Sequence, residues 1–335
     1  MKKIFKIVIC ICISLFCVFG MYACGENKNK NAVNLVAIDA DSVGLRNDID
    51  YYVVAEPAAS AKVKAVQGLN FVGDLQKLYG GENGYPQAVV VAKHDLFGST
   101  MLDAVTNALA QSYDWLTSDA TSIETIVNAI QSNLTAGLEP SIKTQNLTKS
   151  VIKNCGIKFV SAADSKADIV AFMEKLNSVS DSSFGTPSED FFDNVPSGWN
   201  TRKISVYAPD GAPALGLASL MAENVLGDMA EYHIVKAETI QTVVKGAELK
   251  ADICVLPVNL AVKLLGNAEK YRLLGTLTHG NLYMLSKDNK QITIDNLEEL
   301  KGKTVGVVNL AAVPGLIFKL ILNSYGIEYT EPYND

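Results

Sequence analysis

The chain has 335 residues, 48% of them apolar, with 24 glycines, 10 prolines, six cysteines and a formal net charge of −7. The apolar content is too high for a disordered chain, and there is neither a glycine period nor the multiple long apolar spans of a polytopic membrane protein. Three arginines (Arg46, Arg202, Arg272) and an acidic balance speak against a nucleic-acid partner, since phosphate binding needs a dense basic face.

Lys2, Lys3 and Lys6 precede an apolar run from Ile7 to Ala23, the layout of an export signal over residues 1–24. The remainder has 26 basic against 36 acidic residues, a balance of about −10. Four cysteines fall in the signal, leaving only Cys155 and Cys254 in the body, so a disulfide framework is excluded. Met21-Tyr22-Ala23-Cys24-Gly25 resembles a bacterial lipobox, which makes Cys24 the expected lipidation site. Tyr22 is bulkier than that pattern usually has, and an uncleaved anchor or ordinary signal is the alternative. Residues 25–32, rich in Asn and Lys, read as a flexible tether. The expected location is the outer face of the cell membrane, held by a lipid anchor.

In the body, β-rich runs recur at Asn34–Ile38, Tyr51–Ala55, Ala88–Ala92, Ile204–Tyr207, Ile253–Leu256, Leu282–Leu285 and Thr304–Val308. Helical segments separate them, three of them marked by Thr100 with Asp103, Thr121 with Glu124, and Ser165 with Asp168 as capping pairs. A further helix is predicted over Pro314–Tyr325, stopped by Gly326. This alternation predicts an α/β fold of parallel or mixed sheets covered on both faces by helices. An internal echo, Leu35–Ile38 then Asp48–Pro57 against His233–Ala237 then Lys250–Pro257, predicts two similar lobes.

Lys203–Ala218, Lys250–Ala261 and Leu297–Gly306 resemble the N-terminal half of an ABC-transporter substrate-binding lipoprotein of the nitrate, sulfonate, taurine and thiamine-precursor group. Leu35–Ala61, Tyr85–Lys93 and Phe184–Phe192 resemble its C-terminal half. The halves stand in reversed order, joined by Asp193–Thr201, which implies a circularly permuted, two-lobed, periplasmic-binding-protein-like (type II) fold. An artefact of gene assembly or domain swapping is the alternative. The resemblance implies one lobe assembled from 33–85 plus 281–335 and a continuous lobe over 86–280. It also implies hinges near Gly84–Gln87 and Thr278–Asn281. After strand Thr304–Val308 and its helix a further parallel strand is due, and Asn34–Ile38 is the strand without a partner.

Ligands of open α/β sheets bind beyond the carboxyl ends of strands, where helix N-termini point free N–H groups. Asp210-Gly211-Ala212-Pro213 and Asn309-Leu310-Ala311-Ala312-Val313-Pro314 have the composition for this. Strand ends Glu56-Pro57 and Pro257-Val258-Asn259 are the other candidates. Glu56 could accept from a ligand amine, and Asn259 could offer a donor and an acceptor, or either could cap its own following helix. Tyr51, Tyr52, Tyr207 and Tyr283 are possible stacking walls or ordinary strand residues.

His94, His233 and His279 are scattered, and neither a metal spacing, a nucleophile elbow nor a phosphate loop occurs. No cofactor or catalytic residue is therefore expected. The chain reads as a monomeric solute-binding component of an ABC importer, with a small-molecule solute, a membrane permease and a lipid anchor as partners. A ligand-sensing module signalling to a receptor, or a pyrimidine-pathway enzyme on the same fold, is the alternative.

Overall fold

A computed structural model describes residues 30–80, 84–180, 183–196, 202–246 and 248–331. The export signal, Cys24, most of the tether and residues 197–201 of the joining stretch lie outside the described residues.

The strands in chain order are β1 Val33–Ile38, β2 Tyr51–Ala55, β3 Asn70–Asp74, β4 Pro86–Lys93, β5 Ile157–Ser161 and β6 Ile204–Pro209. They continue with β7 Ala230–Val235, β8 Ile253–Pro257, β9 Tyr271–His279, β10 Leu282–Ser286, β11 Thr304–Val308 and β12 Tyr329–Thr330. The helices are α1 Ala58–Ala65, α2 Leu75–Tyr79, α3 Thr100–Thr117, α4 Ile123–Gln131, α5 Lys149–Asn154 and α6 Ala162–Val179. After them come α7 Ala212–Gly216, α8 Ala218–Ala222, α9 Ile240–Val243, α10 Val258–Leu265 and α11 Val313–Ser324.

Two six-stranded mixed sheets result, ordered β12-β1-β11-β2-β10-β3 and β5-β9-β4-β8-β6-β7. The first draws its strands from residues 33–74 and 282–330, the second from 86–279. Within them β1-β11-β2-β10-β3 and β7-β6-β8-β4-β9 share one order and one set of senses: three parallel strands, then one antiparallel to both its neighbours. β1 pairs in parallel with β11 over Asn34–Ile38, so the first strand of the described chain completes a sheet begun near its end. The stretch after α11 also supplies the short β12, which pairs with β1 and has no counterpart in the strands read from the sequence.

The echoed aspartates have one structural cause. Asp50 Oδ2 accepts the Thr304 amide at 2.8 Å, and Asp252 Oδ2 accepts the Ser205 amide at 2.9 Å. Each carboxylate, at the start of one parallel strand, satisfies an amide at the start of the central strand beside it. Asp252 also pairs with Lys93 and Arg202, both at 2.9 Å. Burial opposes its ionisation, but hydrogen bonds from Arg202, Lys93 and the Ser205 amide outweigh that and lower its pKa.

Side-chain alternation gives each sheet two apolar faces. In the first, Leu35, Tyr51, Val53, Val305 and Val307 meet α2 and α11, while Val36, Ile38, Tyr52, Val54 and Leu285 meet α1. In the second, Val89, Val91, Leu256 and Leu273 meet α6, α9 and α10. Val90, Val206, Ala208 and Leu277 meet α3 and α7, on which α4, α5 and α8 pack. One core runs through both sheets, because α6 packs on α11 and Tyr85 stacks on Phe172 at 5.8 Å. Each fully buried large apolar side chain of this kind contributes about 1.5–3 kcal/mol.

The three capping assignments made from sequence need correction. The oxygens that accept the first-turn amides belong to Ser99, Ser122 and Ser161, bonded to Leu102, Thr125 and Asp164 at 3.1, 3.0 and 3.2 Å. Thr100 is the first helical residue, Thr121 precedes the cap, and Ser165 lies inside α6 with its hydroxyl donating to the Val160 carbonyl at 3.0 Å. The cap falls on the residue with ψ near 150° (144°, 152° and 161° for these serines), since only that backbone lets the side-chain oxygen reach back to the helix.

Candidate functional site

The chain crosses between the sheets twice, from β3 to β4 and from β9 to β10. At the crossings Leu282 pairs with Ala55 at the carboxyl end of β2, Pro86 pairs with His279, and Ala88 pairs with Pro257 at the carboxyl end of β8. β11 and β6 lie in parallel register beside those strands, so the carboxyl ends of the parallel strands in both sheets share the edge nearest the crossings. That is where ligands of open α/β sheets bind.

The crossings are tied together by Gln76. Its Oε1 accepts from the Leu282 amide at 2.8 Å and from the Tyr85 hydroxyl at 3.3 Å, while its Nε2 donates to the Leu282 carbonyl at 3.1 Å. The Gly280 amide bonds the Tyr85 carbonyl at 3.0 Å. A Cβ at Gly280 would lie 2.6 Å from Gln76 Cγ, so only glycine fits under the clamp.

On the first sheet's edge, Glu56 is buried and its carboxylate accepts from the Ser60 amide at 2.9 Å and the Ser60 hydroxyl at 2.6 Å. It therefore caps α1, the second of the roles read from sequence. The Asn154 side chain, from the part of the chain built on the second sheet, also favours its ionised form. Burial raises the Glu56 pKa, and these hydrogen bonds only partly offset it. The Glu56 amide donates to the Asn281 carbonyl at 2.9 Å, and Asn281 Nδ2 returns a bond to the Glu56 carbonyl at 3.2 Å. Pro57, joined to Glu56 by a cis peptide, precedes α1 as its N-cap.

Asn309, Leu310 and Ala311 follow β11 and, with Asp39, Ser42 and Arg46, line an open cavity of about 400 Å³ between the ends of β1 and β11. The connection after β1 leads to the α1 face and the one after β11 to the α11 face, which leaves a crevice between the two strands. Ala312 caps α11 with no side-chain bond, and Val313 is buried.

On the second sheet's edge, Asp210 is already engaged. Its carboxylate accepts from the Gly211 amide at 2.9 Å and from the Ser141 amide at 2.6 Å, pinning the segment between α4 and α5. Gly211 adopts φ 112° with open space around its Cα, Ala212 is buried, and Pro213 stands in the first turn of α7. Pro257 caps α10 without a side-chain bond. Asn259, 8% exposed, does not cap its helix, and its Oδ1 is buried without a hydrogen-bond partner.

Further bonds join the parts of the chain built on the two sheets. Lys64 Nζ donates to the Gln145 carbonyl at 2.6 Å, and the Tyr283 hydroxyl to the Asn154 carbonyl at 3.4 Å. Tyr51 and Tyr52 are buried in the first sheet, and Tyr207 stacks on His233 at 4.4 Å. Cys155 and Cys254 are buried, which pushes both thiols up. Among the described residues no group of His, Cys, Asp and Glu is placed to hold a metal, and no helix is long and apolar enough to cross a membrane.

Ser141, Asn154 and Gln76 escape a reading of the sequence, and Asn281 enters it only as the end of the expected hinge Thr278–Asn281. Each acts on a residue distant in the chain or through the backbone, and nothing in the local sequence marks that. Compared with known proteins, the chain matches no protein-family model and no curated protein.

Proposed function

We propose that this chain is an extracytoplasmic solute-binding protein of type II architecture, circularly permuted, anchored through Cys24, and that it delivers a small polar solute to an ABC permease. The observation that carries the proposal is the strand order. Both sheets hold the same five-strand order with one antiparallel strand, and the carboxyl ends of their parallel strands meet at two crossings. Two lobes joined by short crossings close on a ligand by hinge bending, with contacts from both sides favouring the closed state. Gln76, Gly280 and Asn281 act as the hinge in this scheme, and the Tyr283 hydroxyl bonded to the Asn154 carbonyl is a contact of the closed state.

The test is a thermal-shift and calorimetric screen of the protein lacking residues 1–24 against nitrate, sulfonates, amino acids, pyrimidines and neutral amides. Saturable binding by one class with a raised melting temperature is the expected result. Turnover of a compound without any stabilising ligand would instead favour an enzyme.

A further inference from the structure

Beyond the carboxyl end of β8 lies a group of polar atoms that the fold leaves unsatisfied. Asn259 Oδ1 is buried with no partner, in a side chain more than nine-tenths buried, at the second position of α10. Gln87 Oε1 is buried with no partner on β4, between Pro86 and Ala88, whose cross-strand partners are His279 and Pro257. His279 Nδ1 is buried with no partner at the end of β9. Register places Gln87 and His279 at the end of the second sheet that faces the crossings, and Asn259 stands two residues after Pro257 in the helix that leaves the same end. Folded proteins satisfy nearly all buried polar groups, so such a group signals a missing hydrogen-bonding partner.

The chemistry of the surroundings selects that partner. Pro257 leaves the first amides of α10 without a side-chain cap, so the helix presents donors and the positive end of its dipole. Beside these donors stand two amide oxygens that only a donor can satisfy. An anion would suit the helix end but leave Asn259 Oδ1 and Gln87 Oε1 buried against negative charge. An ammonium would suit the oxygens but meet the positive end of α10. His279 is held neutral, its pKa lowered to about 4 by burial and by Lys158, so it adds no charge at neutral pH.

We propose, on the basis of the solute-binding reading above, that Asn259 and Gln87, with the start of α10, form a subsite for an uncharged group carrying a donor and an acceptor on one edge, such as a carboxamide, a ureide or a nucleobase edge. Anions of the nitrate and sulfonate type are then not the solute.

The experiment compares matched probes differing only in that group: nicotinamide, nicotinate and 3-aminomethylpyridine, together with uracil, urea derivatives, taurine and nitrate. Binding is read by calorimetry in the wild type, Asn259→Leu and Gln87→Leu. The neutral probes are expected to bind at least tenfold more tightly than their charged partners. Each leucine variant is expected to weaken that binding at least tenfold while its unliganded melting temperature stays equal or rises, because removing an unsatisfied polar atom does not cost the empty protein. Two variants guard against a single failure to fold. Tighter binding of an anion or cation would overturn the subsite and leave the solute-binding reading standing. Absence of binding by every class would overturn both. A lowered unliganded melting temperature with unchanged affinity would make Asn259 and Gln87 structural residues and overturn the proposal.

Discussion

Gln76 holds both polar groups of Leu282: its Oε1 accepts the Leu282 amide at 2.8 Å and its Nε2 donates to the Leu282 carbonyl at 3.1 Å. One side chain thus substitutes for a strand partner at the point where the chain re-enters the first sheet, and its Oε1 also accepts from the hydroxyl of Tyr85 at the other crossing. Gln76→Ala leaves these groups unpaired in a mostly buried site. The expected loss is about 2–3 kcal/mol, measured by urea denaturation, with Gln76→Glu also destabilising because a carboxylate cannot donate to the Leu282 carbonyl.

Asp210 is expected to act on the segment it pins rather than on solvent. Asp210→Ala frees the Ser141 amide from its 2.6 Å bond and removes the bond to Gly211. Hydrogen exchange at Ser141 should accelerate, with a global loss of about 1–2 kcal/mol. An unchanged exchange rate at Ser141 would contradict the assignment.

The start of α11 depends on a close backbone approach. A Cβ at Gly315 would sit 1.8 Å from the Leu310 carbonyl oxygen, closer than any real contact. Gly315→Ala is therefore expected to cost more than about 2 kcal/mol and to disturb the cavity lined by Leu310 and Ala311, read by calorimetric unfolding.

Stability should fall on mild acidification through His279. Its pKa is lowered from 6.5 to about 4, first by burial and then by Lys158, against a smaller opposing influence of Asp168. Between those values the unfolded chain takes up a proton that the folded one resists. The stability is therefore complete above pH 6.5 and declines as the pH falls toward 4, by up to about 3 kcal/mol. Glu56 acts with the opposite sign, since its raised pKa favours the folded state at low pH and loses that advantage as the pH rises. His279→Gln should flatten the acid slope, which pH-dependent thermal melts will register.

Much of the sheet framework is legible in the sequence. Tyr51–Ala55 and Thr304–Val308 can be read to the residue, because both faces of those strands are buried and their apolar runs are continuous. β3, β5 and β9 escape such a reading. β9 carries Gly275, where a Cβ would lie 2.3 Å from the Val160 carbonyl, so a glycine demanded by the neighbouring strand breaks the β pattern. Asp50 and Asp252 are visible in the sequence only as an echo, and their bonds to Thr304 and Ser205 become apparent once the strands are paired. For the site, the loops at the strand ends are recognisable by composition. Glu56 cannot be ranked against Asn259 in that way, because capping by Ser60 and the orphaned state of Asn259 Oδ1 are settled by atoms in space.

Hinge closure on a solute is measured by small-angle X-ray scattering of the protein lacking residues 1–24, with and without a saturating concentration of the tightest-binding compound. A smaller radius of gyration is expected on saturation, and no change when Gly280→Val forces a side chain against Gln76 at the crossing. Measurable binding with an unchanged radius of gyration would contradict hinge closure.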